Sequence, residues 1–330
     1  MFRRQRSLSL TVQLVTALAA VGVLAPAASA IEPCPTWFPD FRCERSGRFD
    51  GFVGTMQMPY LFEDPFITTG AQLVGIYHEY PGHSVFEGGE LGVLALQVRL
   101  ALTDRLAFIA TKDGYVWHRP DLDILPNADG FYDISMGFKY ALLQNREKNY
   151  IVSPSFRIDI PVGQTRVYQN LGSGVGIPAL SAAWGWENFH LIGDFGARLP
   201  FDMGLESTSL FWNLHLDYAL FEHFVPLVEF GGMHWTGTGD GSRGIRTRTV
   251  LGTVSLDQAQ ALLQTGGFEG VDVANLGSRN VGGNGIVIGS FGARFPVNKH
   301  LSFGGVYSFP LTDRDDIWKQ RATLNVLLEF

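Results

Sequence analysis

The chain has 330 residues, 46% of them hydrophobic and 13% aromatic, with 39 glycines and a formal net charge of −7. The acidic balance argues against nucleic acid as a partner. Beyond the first thirty residues no uninterrupted apolar run reaches the roughly 18 residues a membrane helix needs. Abundant glycine and aromatic side chains favour a β-rich chain with many turns over a helical one.

Residues 1–30 read as an export signal. Arg3, Arg4 and Arg6 form a basic start, Leu8 to Leu24 an apolar stretch, and Ala28-Ser29-Ala30 a small-residue cleavage site. Residues 31–69 are expected to form a periplasmic segment. It holds the only two cysteines, Cys34 and Cys43. An exported chain meets an oxidising compartment, so a short-loop disulfide is expected, with two free thiols or a redox pair as the alternative.

From residue 70 onward one plan recurs: an alternating strand, a short charged turn, another alternating strand. The turns centre near Asp104, Arg146, Glu187, Glu222 and Lys299. With a first and a last strand added, twelve segments result, at about 71–80, 90–102, 105–117, 130–142, 150–161, 176–186, 188–200, 208–220, 223–235, 285–295, 300–310 and 320–330. Each is near the 9–11 residues a tilted strand needs to cross hydrocarbon. The predicted fold is therefore all-β, a transmembrane antiparallel up-and-down β-barrel of about 12 strands. It would span 70–330, with both ends on the short-turn side. Between strands nine and ten lies a long glycine-rich loop, about 236–284. Within it Ser255–Gln264 has helix formers and a Gly266-Gly267 stop. Surface display of this loop is favoured over an inward fold.

The alternation also assigns faces. On 208–220, Leu210, Trp212, Leu214, Leu216 and Tyr218 oppose Asn213, His215 and Asp217. On 130–142, Tyr132, Ile134, Met136, Phe138, Tyr140 and Leu142 oppose Asp133, Ser135 and Lys139. The last strand sets Ala322, Leu324, Val326, Leu328 and Phe330 against Arg321, Thr323, Asn325 and Glu329. A basic residue facing lipid at mid-depth costs about 2–4 kcal/mol. The polar set must then face inward, so the expected lumen lining is Arg99, Lys139, Asp133, Arg157, Asp159, Asp194, Arg198, Asn213, His215, Asp217, Glu229, Arg294 and Arg321. Lys112 and Glu329 belong to the same set. Both signs are nearly balanced, which suits ion pairing across a narrow wall better than strong ion selectivity. Aromatics near strand ends (Trp117, Trp184, Trp186, Phe189, Phe221, Phe224, Trp235 and Phe309) suit interfacial girdles. The terminal Phe330 is expected to be the signal read by barrel-assembly machinery.

Enzymatic and metal chemistry finds little footing. None of the eight histidines stands in an H-x-x-x-H or H-E-x-x-H spacing. His215 is followed by Leu216-Asp217 rather than by the x-Ser of a barrel hydrolase, so lumen wall is the better reading of the Asn213, His215 and Asp217 face. Gly172-Ser173-Gly174-Val175-Gly176 lacks the Lys-Ser/Thr continuation of a phosphate loop. Thr238-Gly239-Asp240-Gly241 and Thr312-Asp313-Arg314-Asp315-Asp316 read as solvated turns rather than cation sites. No cofactor and no metal site is expected.

The segment Leu102-Thr103-Asp104-Arg105-Leu106 resembles the strand-turn-strand hairpin of an outer-membrane family named for the phenol-degradation pathway, of the porin-like transporter type. Phe62-Glu63-Asp64-Pro65 resembles an element that precedes the first strand in related envelope barrels. The resemblance implies an outer-membrane barrel with no established catalytic residues. The expected role is passive passage or uptake of small solutes, hydrophobic ones among them, in contact with outer-membrane lipid. A non-conducting structural or surface-attachment barrel is the alternative, and a barrel lipid hydrolase a remote third.

Overall fold

The computed structural model describes residues 47–123, 125–239, 246–249, 252–255 and 268–330. The expected export signal at 1–30, Cys34, Cys43 and nearly all of Ser255–Gln264 lie outside the described residues. Twelve antiparallel strands close on themselves. They are β1 (Gly70–Glu79), β2 (Gly89–Ala101), β3 (Leu106–Lys112, resuming as Tyr115–Pro120) and β4 (Ala128–Phe131, Ile134–Tyr140 and Leu143–Asn145). Then come β5 (Tyr150–Ile160), β6 (Val175–Trp186), β7 (Phe189–Pro200) and β8 (Ser209–Tyr218). The last four are β9 (Val225–Trp235), β10 (Gly285–Pro296), β11 (Leu301–Pro310) and β12 (Gln320–Glu329). Closure comes through β1, whose Gly70 pairs with Glu329 on one side and Arg99 on the other. Among the described residues the barrel sheet has no open edge, the condition for a sheet to stand in lipid. The twelve segments read from the sequence match these strands within a few residues.

Local chemistry explains the tight turns at one end. Thr103 Oγ1 accepts the N–H groups of Arg105 and Leu106, and Asn298 Oδ1 those of His300 and Leu301. Side chains of this type satisfy backbone donors that a tight turn leaves over. Two strands are interrupted. β3 breaks at Asp113-Gly114, where Gly114 takes φ +116° and the Asp113 carboxylate accepts the N–H of Leu96 in place of a strand carbonyl. β4 breaks beside it at Tyr132-Asp133.

The outside is oily. Phe138, Phe156, Leu180, Phe195, Phe291 and Phe303 each face outward at about half exposure, as do Leu96 and Trp184. The inside holds Arg157, Arg294 and His215 at 0% exposure and Lys139 and Arg321 at 1%. An inverted soluble barrel is thereby ruled out. Two aromatics depart from their expected face. Tyr132 is buried inside because the β4 break shifts the alternation there. Trp235, expected in a girdle, points inward and lies under the Arg314 guanidinium.

Candidate functional site

The lumen is the only candidate site of any size among the described residues, and it is occupied by the chain itself. Residues 47–69, expected in the periplasm, run inside the barrel as a hairpin entered from the short-turn end. An ascending limb passes Phe49, Phe52 and Met56. The tip turns at Met58, whose carbonyl accepts the N–H groups of Leu61 and Phe62. A descending limb passes Glu63, Asp64 and Phe66 and delivers the chain to β1 at Gly70. The limbs meet where the Gly47 N–H reaches the Ile67 carbonyl.

Both apolar burial and charge hold this plug. Phe49, Phe52, Phe62, Phe66 and Ile67 pack against Ala101, Ile109, Ile151 and Ile192 of the wall. Each buried phenylalanine contributes about 1.5–3 kcal/mol. The inward face is thus mixed rather than purely polar: charged side chains such as Arg99 and Arg157 share it with Ala101, Ile109, Ile151 and Ile192, and these apolar positions receive the plug. Glu63 bonds Arg99 at 2.7 and 3.0 Å and Lys139 at 2.8 Å. Asp64 pairs with Arg48 at 2.8 Å, and Arg48 also bonds Glu329 at 2.8 and 3.0 Å. Arg157 donates to the carbonyls of Tyr60 and Leu61, Arg294 to that of Gly54, and Gln97 to that of Pro59. The Glu229 carboxylate accepts the N–H groups of Met56 and Gln57 at 3.0 and 2.6 Å. The remaining residues of the expected lining stand as follows. Asp194 accepts from the Glu63 N–H and from Asn213, Asp217 bonds His190 and His215, and Asp159 pairs with Lys112 at 3.4 Å. Asp133 is only half-buried, at the β4 break, where it accepts the N–H groups of Gly163 and Asn170.

A second element closes the other end. Residues 246–249 and 252–255 pair as a separate two-stranded sheet, but the 268–278 stretch of the long loop folds inward rather than outward, correcting the expectation of surface display there. Its carbonyls at Val271 and Val273 accept from Arg198 and Gln169. Asp272 forms a two-bond pair with Arg321 at 2.8 Å each, both side chains fully buried, and Arg321 stacks on Trp318 at 3.5 Å. Asp316 accepts the N–H groups of Glu269 and Gly270, while the Glu269 carboxyl accepts those of Gly277 and Ser278. Burial, opposed by the Ser278 N–H and reinforced by Asp316, pushes Glu269 up to about 8. Burial likewise lifts Glu206 to about 7 against the pull of Arg198, and raises Asp316 against Arg314. Plug tip and loop meet: Met58 and Leu61 share one apolar cluster with Val271 and Val281. At the short-turn end the plug leaves a vestibule of about 750 Å³ beside its ascending limb.

Periodicity identified the inward charges but could not identify their partners. The signal available for the plug was Glu63-Asp64 within an apolar run: two acids with no surface-loop composition around them must be paired if buried.

No protein-family model matches the chain, and no curated protein matches it by sequence. Among solved structures it is similar to an outer membrane channel from Pseudomonas putida F1, at TM-score 0.50 and 14% identity over 84% of this chain and 100% of that one. It is also similar to the NanC porin (TM-score 0.44, 7% identity, 79% and 98% covered) and the KdgM porin (0.41, 9%, 78% and 99%). The chain has the fold of outer-membrane β-barrel channels.

Proposed function

We propose that this chain passes small solutes, apolar ones included, across the bacterial outer membrane, and that the conformation seen is its closed state. The mature chain would begin near Ile31 after export, with Phe330 read by the assembly machinery during insertion. The observation that carries the reading is orientation: oily residues outward, ionised residues toward the axis of a closed barrel. Passage then requires displacement of the plug, the inward loop, or both. The lumen residues would line the path once the plug has moved.

A reducible tether between plug and wall tests this. The Gln57 and Ser290 side chains meet, with Ser290 Oγ donating to Gln57 Oε1 at 2.6 Å, so cysteines at both positions lie within the span of a short bis-methanethiosulfonate cross-linker added during refolding. In planar bilayers the cross-linked Gln57→Cys/Ser290→Cys variant is expected to be silent, and reductant to restore conductance and liposome swelling. The packed lumen favours one second reading, a permanently closed barrel of the envelope. Silence of the parent, the reduced variant and the cross-linked variant at every voltage would decide for it.

A further inference from the structure

Four inward side chains on three adjacent strands form one unbroken chain of hydrogen bonds. His190 Nδ1 meets Asp217 Oδ1 at 2.7 Å, Asp217 Oδ2 meets His215 Nε2 at 2.8 Å, and His215 Nδ1 meets Glu229 Oε1 at 2.7 Å. None of the four exceeds 3% exposure. Both ends of this relay touch the ascending limb of the plug. Glu229 takes the Met56 and Gln57 N–H groups, and His190 Nε2 lies 2.5 Å from the point a Cβ on Gly51 would occupy, with the Phe52 ring centroid 4.7 Å from that of the imidazole.

We propose that this relay is a proton-operated latch on the ascending limb. The His215 ring stands between two carboxylates, and it can donate to both only as an imidazolium. In that state it compensates the Glu229 charge, and Glu229 offers Oε1 to the Met56 amide and Oε2 to the Gln57 amide. Loss of the ring proton leaves Asp217 and Glu229 as buried carboxylates with no cation between them. That change weakens the grip on Met56 and Gln57. The other charged groups near the relay are Asp194 (β7), which holds Asn213, and Arg294 (β10), which holds the Gly54 carbonyl. Arg48 of the plug is tied to Asp64 and Glu329. The descending limb is different: Arg99 and Lys139, permanent cations, hold Glu63. Protons therefore act on one limb, and the vestibule beside that limb gives it room to move.

The latch deepens the gated-channel reading, but its test does not need conduction. The full-length Val53→Cys protein is folded into liposomes, and N-ethylmaleimide labelling of position 53 is followed by peptide mass, normalised at each pH to urea-unfolded protein. The expected rate is slow at pH 7 and at least fivefold faster at pH 9.5. Glu229→Gln in this background should be fast and flat, and His215→Gln should lose the alkaline rise. Heat-modifiable migration on gels confirms that each variant is folded. A parent rate independent of pH, or a folded variant of each kind that reproduces the parent profile, overturns the latch. A pH-dependent rate in a protein that never conducts sustains the latch and sinks the channel.

Discussion

Glu63 on the plug and Lys139 on β4 lie 2.8 Å apart, and neither is more than 2% exposed. Lys139 also reaches the Asp64 carbonyl at 2.6 Å, so one ammonium spans two consecutive plug residues. A pair this deep is costly to half-remove, because the survivor stays charged and unhydrated; the usual penalty is about 3–5 kcal/mol. Glu63→Ala strands Arg99 and leaves Lys139 held by Asp64 alone. It is expected to raise bilayer conductance and to expose the plug to protease in folded protein. Adding Arg99→Met should recover part of the lost protection, since the orphaned charge disappears with it.

At the opposite end, Arg321 of β12 is the wall's hold on the inward loop through Asp272. The same penalty applies to Arg321→Met, which leaves a buried carboxylate and removes the cation over Trp318. Amide exchange in residues 268–278 is expected to accelerate by at least tenfold while β12 exchange stays slow. Unchanged exchange would mean that the Arg198, Gln169 and Asp316 bonds and apolar packing hold the loop without Arg321.

The loop should also respond to pH. Glu269, at about 8, and Glu206, at about 7, both sit above the ordinary carboxylate range, and Asp316 is raised as well. A carboxyl whose value is raised in the docked state binds protons more tightly there than when released. Its contribution is therefore full below about pH 4.5 and is lost as pH climbs toward 8. Exchange in residues 268–278, corrected for intrinsic rate, should be slower at pH 5.5 than at pH 8.5. Glu269→Gln should flatten most of that difference.

The barrel was legible because its signal is periodic. Leu210, Trp212, Leu214 and Leu216 repeat every second residue for one physical reason, lipid on one side. Where the wall breaks, as at Tyr132-Asp133, the period shifts and the face is misread. The plug was illegible for a different reason. Residues 47–69 form no regular strand, so no period marks them, and their partners Arg99, Lys139 and Glu229 are 36 to 173 residues away. The balanced charge of the lumen was visible; that the balance is completed by Arg48, Glu63 and Asp64 was not. The inward loop was missed because glycine-rich composition reports turn frequency, not direction, and Asp272 looks like any loop acid until Arg321 stands opposite.

The orientation of the wall can be measured directly on neighbouring residues of one strand. Phe138 is 54% exposed and Lys139 1%, although they are adjacent on β4. Phe138 faces outward beside Phe108 and opposite Phe156. If that surface meets acyl chains, Phe138→Arg should cost about 2–4 kcal/mol in urea unfolding from lipid vesicles. On a surface meeting water, the same change would cost little, because removing an exposed ring and adding a hydrated cation is close to neutral. Phe138→Leu serves as the size control and should lie near the parent. A neutral Phe138→Arg variant would remove the membrane from the account of this barrel.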